Sequence, residues 1–365
     1  MTSGRFLSAA LSARAVSALL TLLALPPAAL SYRLASFGAA LLTPPVALFD
    51  ALRGRDRTSI RRNLRIAFGA DLSRLKILLF TYGLLRHIAH SLLDLARLPK
   101  FRAAELAATV SERDGRLLRG LAASGRGLIL VSGHVGAFEM QGAVAPLSGV
   151  PMTTVANDPA NPELARLLRE RRQCHGQVVL ENRRVLFHLK EVLKAGGVVG
   201  LLADENTKRK PVFVPFFGTL ASSNRSIANL ARLLDVPLLV GAIHRVGAGR
   251  YRLVFRDLIE PDKAAPRDED ERRIITRINA GIERAVRASP RQYLWNMRRW
   301  RNRPPDEQVG ADGLPPRVAP ARPPSIGELL TDRLLEVDAG DLPAPADLDA
   351  AAQRFTPDGS PAQGA

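Results

Sequence analysis

A single cysteine, Cys174, stands among the 365 residues, so an internal disulfide is excluded and no thiolate zinc cluster can form. Nothing beside Cys174 in the sequence marks it as a nucleophile. Aromatic residues make up only 5% of a chain that is 46% hydrophobic, which argues against a β-sandwich and for a Leu-, Ala- and Val-rich α/β protein. Acidic residues are also short, 35 against 52 Lys and Arg, for a net charge of +17. The shortage is uneven: residues 309–365 hold four Arg and nine Asp and Glu and so carry −5, which leaves +22 on the first 308 residues. Such a body seeks polyanions, whether nucleic acid, an anionic membrane face, phosphorylated lipid or an acidic carrier protein. An aromatic stacking strand and any known RNA-binding module are missing, and the apolar N-terminal region turns the reading away from nucleic acid. At this length the chain can bury one large core or two modest ones.

Residues 15–32 form an uncharged run of 18, bounded by Arg14 and Arg33, just long enough to cross a bilayer. A second uncharged run of 16, residues 34–49, is broken near its end by Pro44-Pro45. A clear small-x-small cleavage site is absent and more apolar sequence follows, so residues 1–55 are expected to be a retained membrane anchor rather than a signal peptide. Whether it spans once, forms a hairpin or lies in the interface stays open, because Pro26-Pro27 can divide the first run. Next, residues 53–65 interleave arginines with an apolar face of Ile60, Leu64, Ala67 and Phe68. That pattern fits either a basic helix on a membrane surface or a solvated helix packed on the core; its place after the anchor favours the membrane. By the positive-inside rule these arginines put the body in the cytoplasm.

The catalytic body is expected over residues 56–305. A long apolar helix over residues 72–98 ends before Pro99, and its His87 and His90 have no acidic partners at ligand spacing, so they read as core histidines. Strands over residues 128–131, 152–156, 178–180 and 198–203 alternate with helical segments near 137–147, 161–174 and 184–195. This rhythm predicts an α/β fold: a mixed, largely parallel sheet covered by helices, with the N-terminal membrane-anchoring helical region added. Further on, a helix starts near Ser222, strands follow over residues 236–243 and 251–255, and a polar helix runs over 268–288. Residues 306–365 are Pro- and Ala-rich and aperiodic, and are expected to be mostly disordered with one short helix at 326–335.

Functional loops gather at the carboxyl ends of parallel strands, where His134 and Asp204 both fall. In Gly127-Leu-Ile-Leu-Val-Ser-Gly-His-Val-Gly-Ala-Phe-Glu139 an apolar strand ends at Ser132-Gly133, presents His134 and enters a helix carrying Glu139. Helical residues five apart point about 140° from each other, so His134 is placed on the turn, where Glu139 can reach back to one imidazole nitrogen. The reading is a general base held by a carboxylate, kept neutral by the helix N-terminus. Gly133 and Gly136 let a substrate approach the backbone, whose N–H groups are expected to stabilise an oxyanion. A second cluster holds Asp204, Glu205 and the basic run Lys208, Arg209 and Lys210, which either is solvated or binds phosphates of a headgroup or of a carrier's phosphopantetheine arm. No third ligand stands near Asp204 and Glu205, so no metal is expected. Arg225, at a helix start, faces either the cleft or the surface, and Arg169, Arg171 and Arg172 offer a further anion contact.

The His-x4-Glu element resembles the acyl-acceptor motif of the glycerolipid and lipid A acyltransferases, and Ser-Gly-His-Val-Gly-Ala-Phe-Glu139 is similar to the late acyltransferases of bacterial lipid A synthesis, which usually carry Asn-Trp where this chain has Ala137-Phe138. Val212-Phe-Val-Pro-Phe-Phe-Gly218 resembles a block that shapes the active-site wall in that family, which implicates Val214, Pro215 and Phe216. Gln292-Tyr-Leu-Trp through Arg298-Arg-Trp-Arg-Asn-Arg-Pro304 resembles its closing segment, and interleaved Trp and Arg suit a membrane interface. The resemblance covers residues 15–305 and implies Asp204 as a loop acid and an arginine role carried to Arg171. It implies acyl transfer from a thioester of acyl carrier protein or coenzyme A to a hydroxyl of a lipid A precursor or related glycolipid, at the bacterial inner membrane, with no cofactor beyond that co-substrate. The alternative is a catalytically silent protein of the same fold that binds anionic lipid.

Overall fold

Five largely apolar, β-branched-rich stretches, Leu128–Ser132 (β1), Met152–Ala156 (β2), Val178–Glu181 (β3), Val198–Leu202 (β4) and Leu238–Gly247 (β7), lie parallel in one sheet. Arg250–Ile259 (β8) closes one edge antiparallel to β7, giving the order β3-β2-β4-β1-β7-β8. The remaining strands, Val212–Phe216 (β5) and Thr219–Ser223 (β6), form a separate hairpin. The computed structural model describes residues 15–16, 18, 21–23, 25–52, 60–69, 71–157, 159–181, 185–331, 333–335 and 342–362.

The helices, in chain order, are Ala28–Leu52 (α1), Ile60–Phe68 (α2), Arg74–Arg97 (α3), Ala103–Thr109 (α4), Glu112–Ala123 (α5), Gln141–Leu147 (α6), Pro162–Gln173 (α7), Val185–Lys194 (α8), Arg225–Leu234 (α9), Arg267–Ala288 (α10), Ile326–Leu330 (α11) and Leu348–Gln353 (α12). They cover both sheet faces, which is why the parallel strands are apolar throughout rather than alternating. Successive residues of one strand enter opposite cores: Ile129, Val199 and Leu238 pack towards α9 and α10, while Leu128, Val198 and Leu239 pack towards α5 and α6.

The fold class expected from the alternation of strands and helices is the one observed. Four details differ. The Val212–Phe216 stretch is one arm of a hairpin rather than a lone turn. Phe217 and Gly218 both take positive φ, 51° and 67°, the two-residue geometry that matches strand twist. Trp295 and Trp300 are buried rather than interfacial, joining Phe68, Phe80, Phe216 and Phe217 in an aromatic cluster under the hairpin. Buried Arg299 explains the interleaving: it donates to the Ser222 carbonyl at 2.5 Å and to Ser223 Oγ at 2.8 Å and lies over the Phe216 ring. The α2 helix takes the core-packed alternative, with Leu64 and Ala67 fully buried and Asn63 donating to the carbonyls of Trp295 and Met297; residues 53–59 of that basic stretch lie outside the described residues. Finally, described residues of the tail lie against the body. Leu314, Leu329 and Leu348 are buried, and Arg317 donates to the carbonyls of Ile66 and Phe217.

The α1 helix is the one described helix long and apolar enough to cross a membrane. It packs along α3. Buried Asp94 of α3 fastens the pair, accepting from the hydroxyls of Tyr32 at 2.5 Å and Tyr251 at 2.9 Å and from Arg245 Nε at 2.6 Å. The outward side of α1 is bare: Leu34, Phe37, Leu41, Leu48 and Phe49 are each more than half exposed.

Candidate active site

Parallel pairing of β1 with β4 puts Ser132 opposite Leu202, so the residues two further on, His134 and Asp204, leave the sheet side by side. Asp204 Oδ2 accepts the His134 backbone N–H at 2.8 Å, and Oδ1 lies 2.8 Å from His134 Nδ1. Gly133 permits this approach, since a Cβ there would stand 2.9 Å from Asp204 Oδ2. Burial alone would raise the Asp204 pKa, but the imidazole and its hydrogen bonds win and hold it below the ordinary value. Ionised, it can only accept, so Nδ1 carries the hydrogen and Nε2 is left with its lone pair. For His134 burial is the largest effect and opposes protonation, yet the Asp204 charge and hydrogen bond, with Glu205 and Glu139 adding to them, together outweigh it and move the ring above its ordinary 6.5. The expectation that a helix N-terminus keeps the ring neutral is therefore corrected: the carboxylates around the ring together raise its pKa, and Glu139 lies in only a short turn, Phe138–Met140.

Glu139 does not orient the histidine. Its carboxylate forms a fork with Arg172, Nε to Oε2 at 2.9 Å and a second guanidinium nitrogen to Oε1 at 2.8 Å. The phase of α7 explains why Arg172 and not Arg171 faces Glu139. Arg172 lies four residues after Leu168, itself three after buried Ala165, whereas Arg171 lies four after Leu167 and donates to the Ala96 carbonyl at 2.8 Å. That spacing was the available signal.

His134, Glu139, Arg172 and Glu205 line a cavity of about 420 Å³ whose other walls are mixed: Gln141, Thr154 and Gln177 are polar, while Val155 on β2, Leu186 and Leu189 on α8, and Ile227 and Leu230 on α9 form an apolar side. Leu186 is 54% exposed, so the apolar wall opens to the surface. Lys208, Arg209 and Lys210 are exposed and lie outside this lining, as does Arg225, which pairs with Asp268 and Glu271. Val214 and Phe216 face the core behind the site and Pro215 faces out, so none lines the cavity. Gly136 serves the fold rather than a substrate. At φ 65° its Cβ would collide with the Ile243 carbonyl oxygen, its N–H is bonded to the Gln292 carbonyl at 2.8 Å, and the next N–H, of Ala137, to Ile243 at 2.5 Å. These two amides are thus not free to hold an oxyanion. Asn224 and Ser226, beside Arg225, are lining residues that the sequence reading did not single out.

This arrangement supplies a base with a free Nε2, a fixed arginine and a cavity whose α8 and α9 side is apolar. Comparison with known proteins points the same way. Residues 3–302 match the model of the family described as bacterial lipid A biosynthesis acyltransferase. The chain is 29% identical over 186 residues to a lipid A biosynthesis palmitoleoyltransferase of Escherichia coli strain K12, covering 50% of this chain and 58% of that one. A lipid A biosynthesis acyltransferase of Haemophilus influenzae is 26% identical over 190 residues, 51% of this chain and 58% of the relative. The chain thus spans a little over half the length of these relatives, while the family model spans most of the chain. With the histidine turn, the Val-Pro-Phe-Phe-Gly hairpin and the Trp-Arg segment in order on one α/β body, this protein belongs to the bacterial lipid A biosynthesis acyltransferase family.

Proposed function

We propose that the protein is a membrane-associated acyltransferase that moves a fatty acyl chain from a thioester of acyl carrier protein or coenzyme A to a hydroxyl of a lipid A precursor or related glycolipid. The observation that carries this reading is the His134–Asp204 pair at the head of a cavity with one apolar side, on α8 and α9, and polar groups on the rest. His134 Nε2 takes the proton of the acceptor hydroxyl as its oxygen attacks the thioester carbonyl. Asp204 holds the Nδ1 proton and stabilises the imidazolium. The C–S bond then breaks, the imidazolium returns the proton to the departing sulfur, and an ester and a thiol are released. Atoms and charge balance without a further cofactor. Arg172, the one Lys or Arg among the described lining residues, supports charge at the tetrahedral centre, and the trough towards α8 and α9 takes the acyl chain. The apolar face of α1 supports placement at the inner membrane with the basic body on the cytoplasmic side.

Transfer of a labelled acyl group from acyl carrier protein or coenzyme A to isolated lipid A precursor tests this. His134→Ala is expected to lower the rate by about 10²- to 10⁴-fold while keeping fold and membrane association. Wild-type rates in that variant, or no transfer by the wild type to any glycolipid, would remove the proposal.

A further inference from the structure

On the far side of the catalytic turn, between α1, α3 and the end of β7, lies a second cavity of about 260 Å³ that shares no lining residue with the first. Five arginines line it: Arg33, Arg86, Arg245, Arg291 and Arg333. The single lining acid is Glu328, and its carboxylate is tied to the Ser325 N–H at 2.6 Å as part of the α11 cap. Arg245 is offset by Asp94. Arg33 and Arg333 enter no ion pair among the described residues and are exposed, and the lining as a whole carries five arginines against one acid. Clustered guanidinium forks in a concave site match the oxygens of a phosphate ester.

The place of Arg33 indicates where that phosphate comes from. It lies three residues after Leu30 and four before Phe37, on the outward face of α1 that exposes both. Charge at the mouth of the cavity is therefore continuous with an apolar face suited to acyl chains. We infer that this cavity binds the phosphate ester of a membrane lipid headgroup, as a site separate from the one that holds His134.

Flotation of the full chain with phosphatidylcholine vesicles, with or without phosphatidylglycerol, tests the assignment. The control for bulk charge is K194E/R354E, an equal change at residues that line neither cavity. R33E/R333E, at two exposed positions, is expected to keep the melting temperature and to weaken binding to the anionic vesicles by about tenfold or more, while the control pair loses much less. Equal losses in the two pairs would mean attraction of the basic body alone and would overturn the site. Inorganic phosphate that raises the melting temperature of wild type but not of R33E/R333E, without any difference in vesicle binding, would also overturn it, in favour of a free-phosphate site. Acyl transfer on detergent-dispersed acceptor reads the His134 site independently, so failure of one proposal is distinguishable from failure of the other.

Discussion

The residue that sets the chemistry of His134 is seventy positions away in sequence. Asp204 raises the pKa of the ring, so the acid limb of the rate profile, where the base becomes protonated, is expected above the ordinary 6.5. In Asp204→Asn the raising charge is gone while burial, which lowers the value, stays. The limb should then move down, and kcat/KM should fall by about 10²-fold or more as the Nδ1 proton loses its anchor. Glu139→Gln should move the limb far less, because Glu139 sits in the fork with Arg172 and makes no hydrogen bond to the ring. Measured profiles in which the Glu139 variant shifts more than the Asp204 variant would reverse the two roles. The sequence displayed His134 and Glu139 together and so suggested that they act on each other. Contact was decided instead by the β1–β4 register, which no local spacing contains.

Among the elements, two contacts hold the site's surroundings in place. The turn after β1 is pressed onto β7 through Gly136, where any side chain meets the Ile243 carbonyl and a positive φ is required. Gly136→Ala is therefore expected to lower stability by about 1–3 kcal/mol and to reduce activity out of proportion, since the same turn carries His134; thermal melts and rates on one preparation check both. The second contact is Asp94, where α1 and α3 meet β7 and β8. Asp94→Ala leaves buried Arg245 without its counter-ion, with only His87 and Ser91 beside it, and should cost about 3–5 kcal/mol in chemical denaturation. A loss below about 1 kcal/mol, the range of exposed ion pairs, would show that the network carries little weight. Boundaries of the first four strands were legible within a residue because strands buried on both faces are apolar and bounded by Gly and polar turns, whereas β7 and β8 run four residues past the stretches expected for them, 236–243 and 251–255. The β5–β6 hairpin was not, because its short apolar arms with a buried turn have no alternation to read.

For the molecule as a whole, histidine burial sets the pH response. His87 and His244 are buried and kept neutral, His244 held down to about 3 by burial and by Arg256, and His87 well below its ordinary value by burial and by Arg245. Below about pH 6.5 the unfolded chain binds these two protons and the folded chain does not. Stability should therefore fall with acidification, by about 1.4 kcal/mol per pH unit for each histidine. His134 works the other way: the folded chain holds its proton more tightly, and the stability this adds is present below pH 6.5 and lost as pH rises through its raised pKa. Denaturant melts are expected to show a maximum near pH 6.5, and a curve still rising between pH 7 and 9 would contradict this. The exposed α1 face makes a second prediction at this scale. L34E/F37E/L41E should move the protein from the membrane pellet to the soluble fraction with its melting temperature unchanged, because those side chains are more than half exposed and bury little against the body.

From its residues alone the chain determined an α/β body, an apolar N-terminal region, a histidine at a strand exit and the family those motifs resemble, because hydrophobic periodicity and turn chemistry are local properties written within a few residues. Tertiary structure decided which acid serves His134, which arginine of the Arg171-Arg172 pair reaches Glu139, and that the Trp-Arg segment is core rather than membrane interface. Each of these depends on strand order, helix phase or packing between segments far apart in the chain. Such pairings arise only when the sheet closes and its faces are covered.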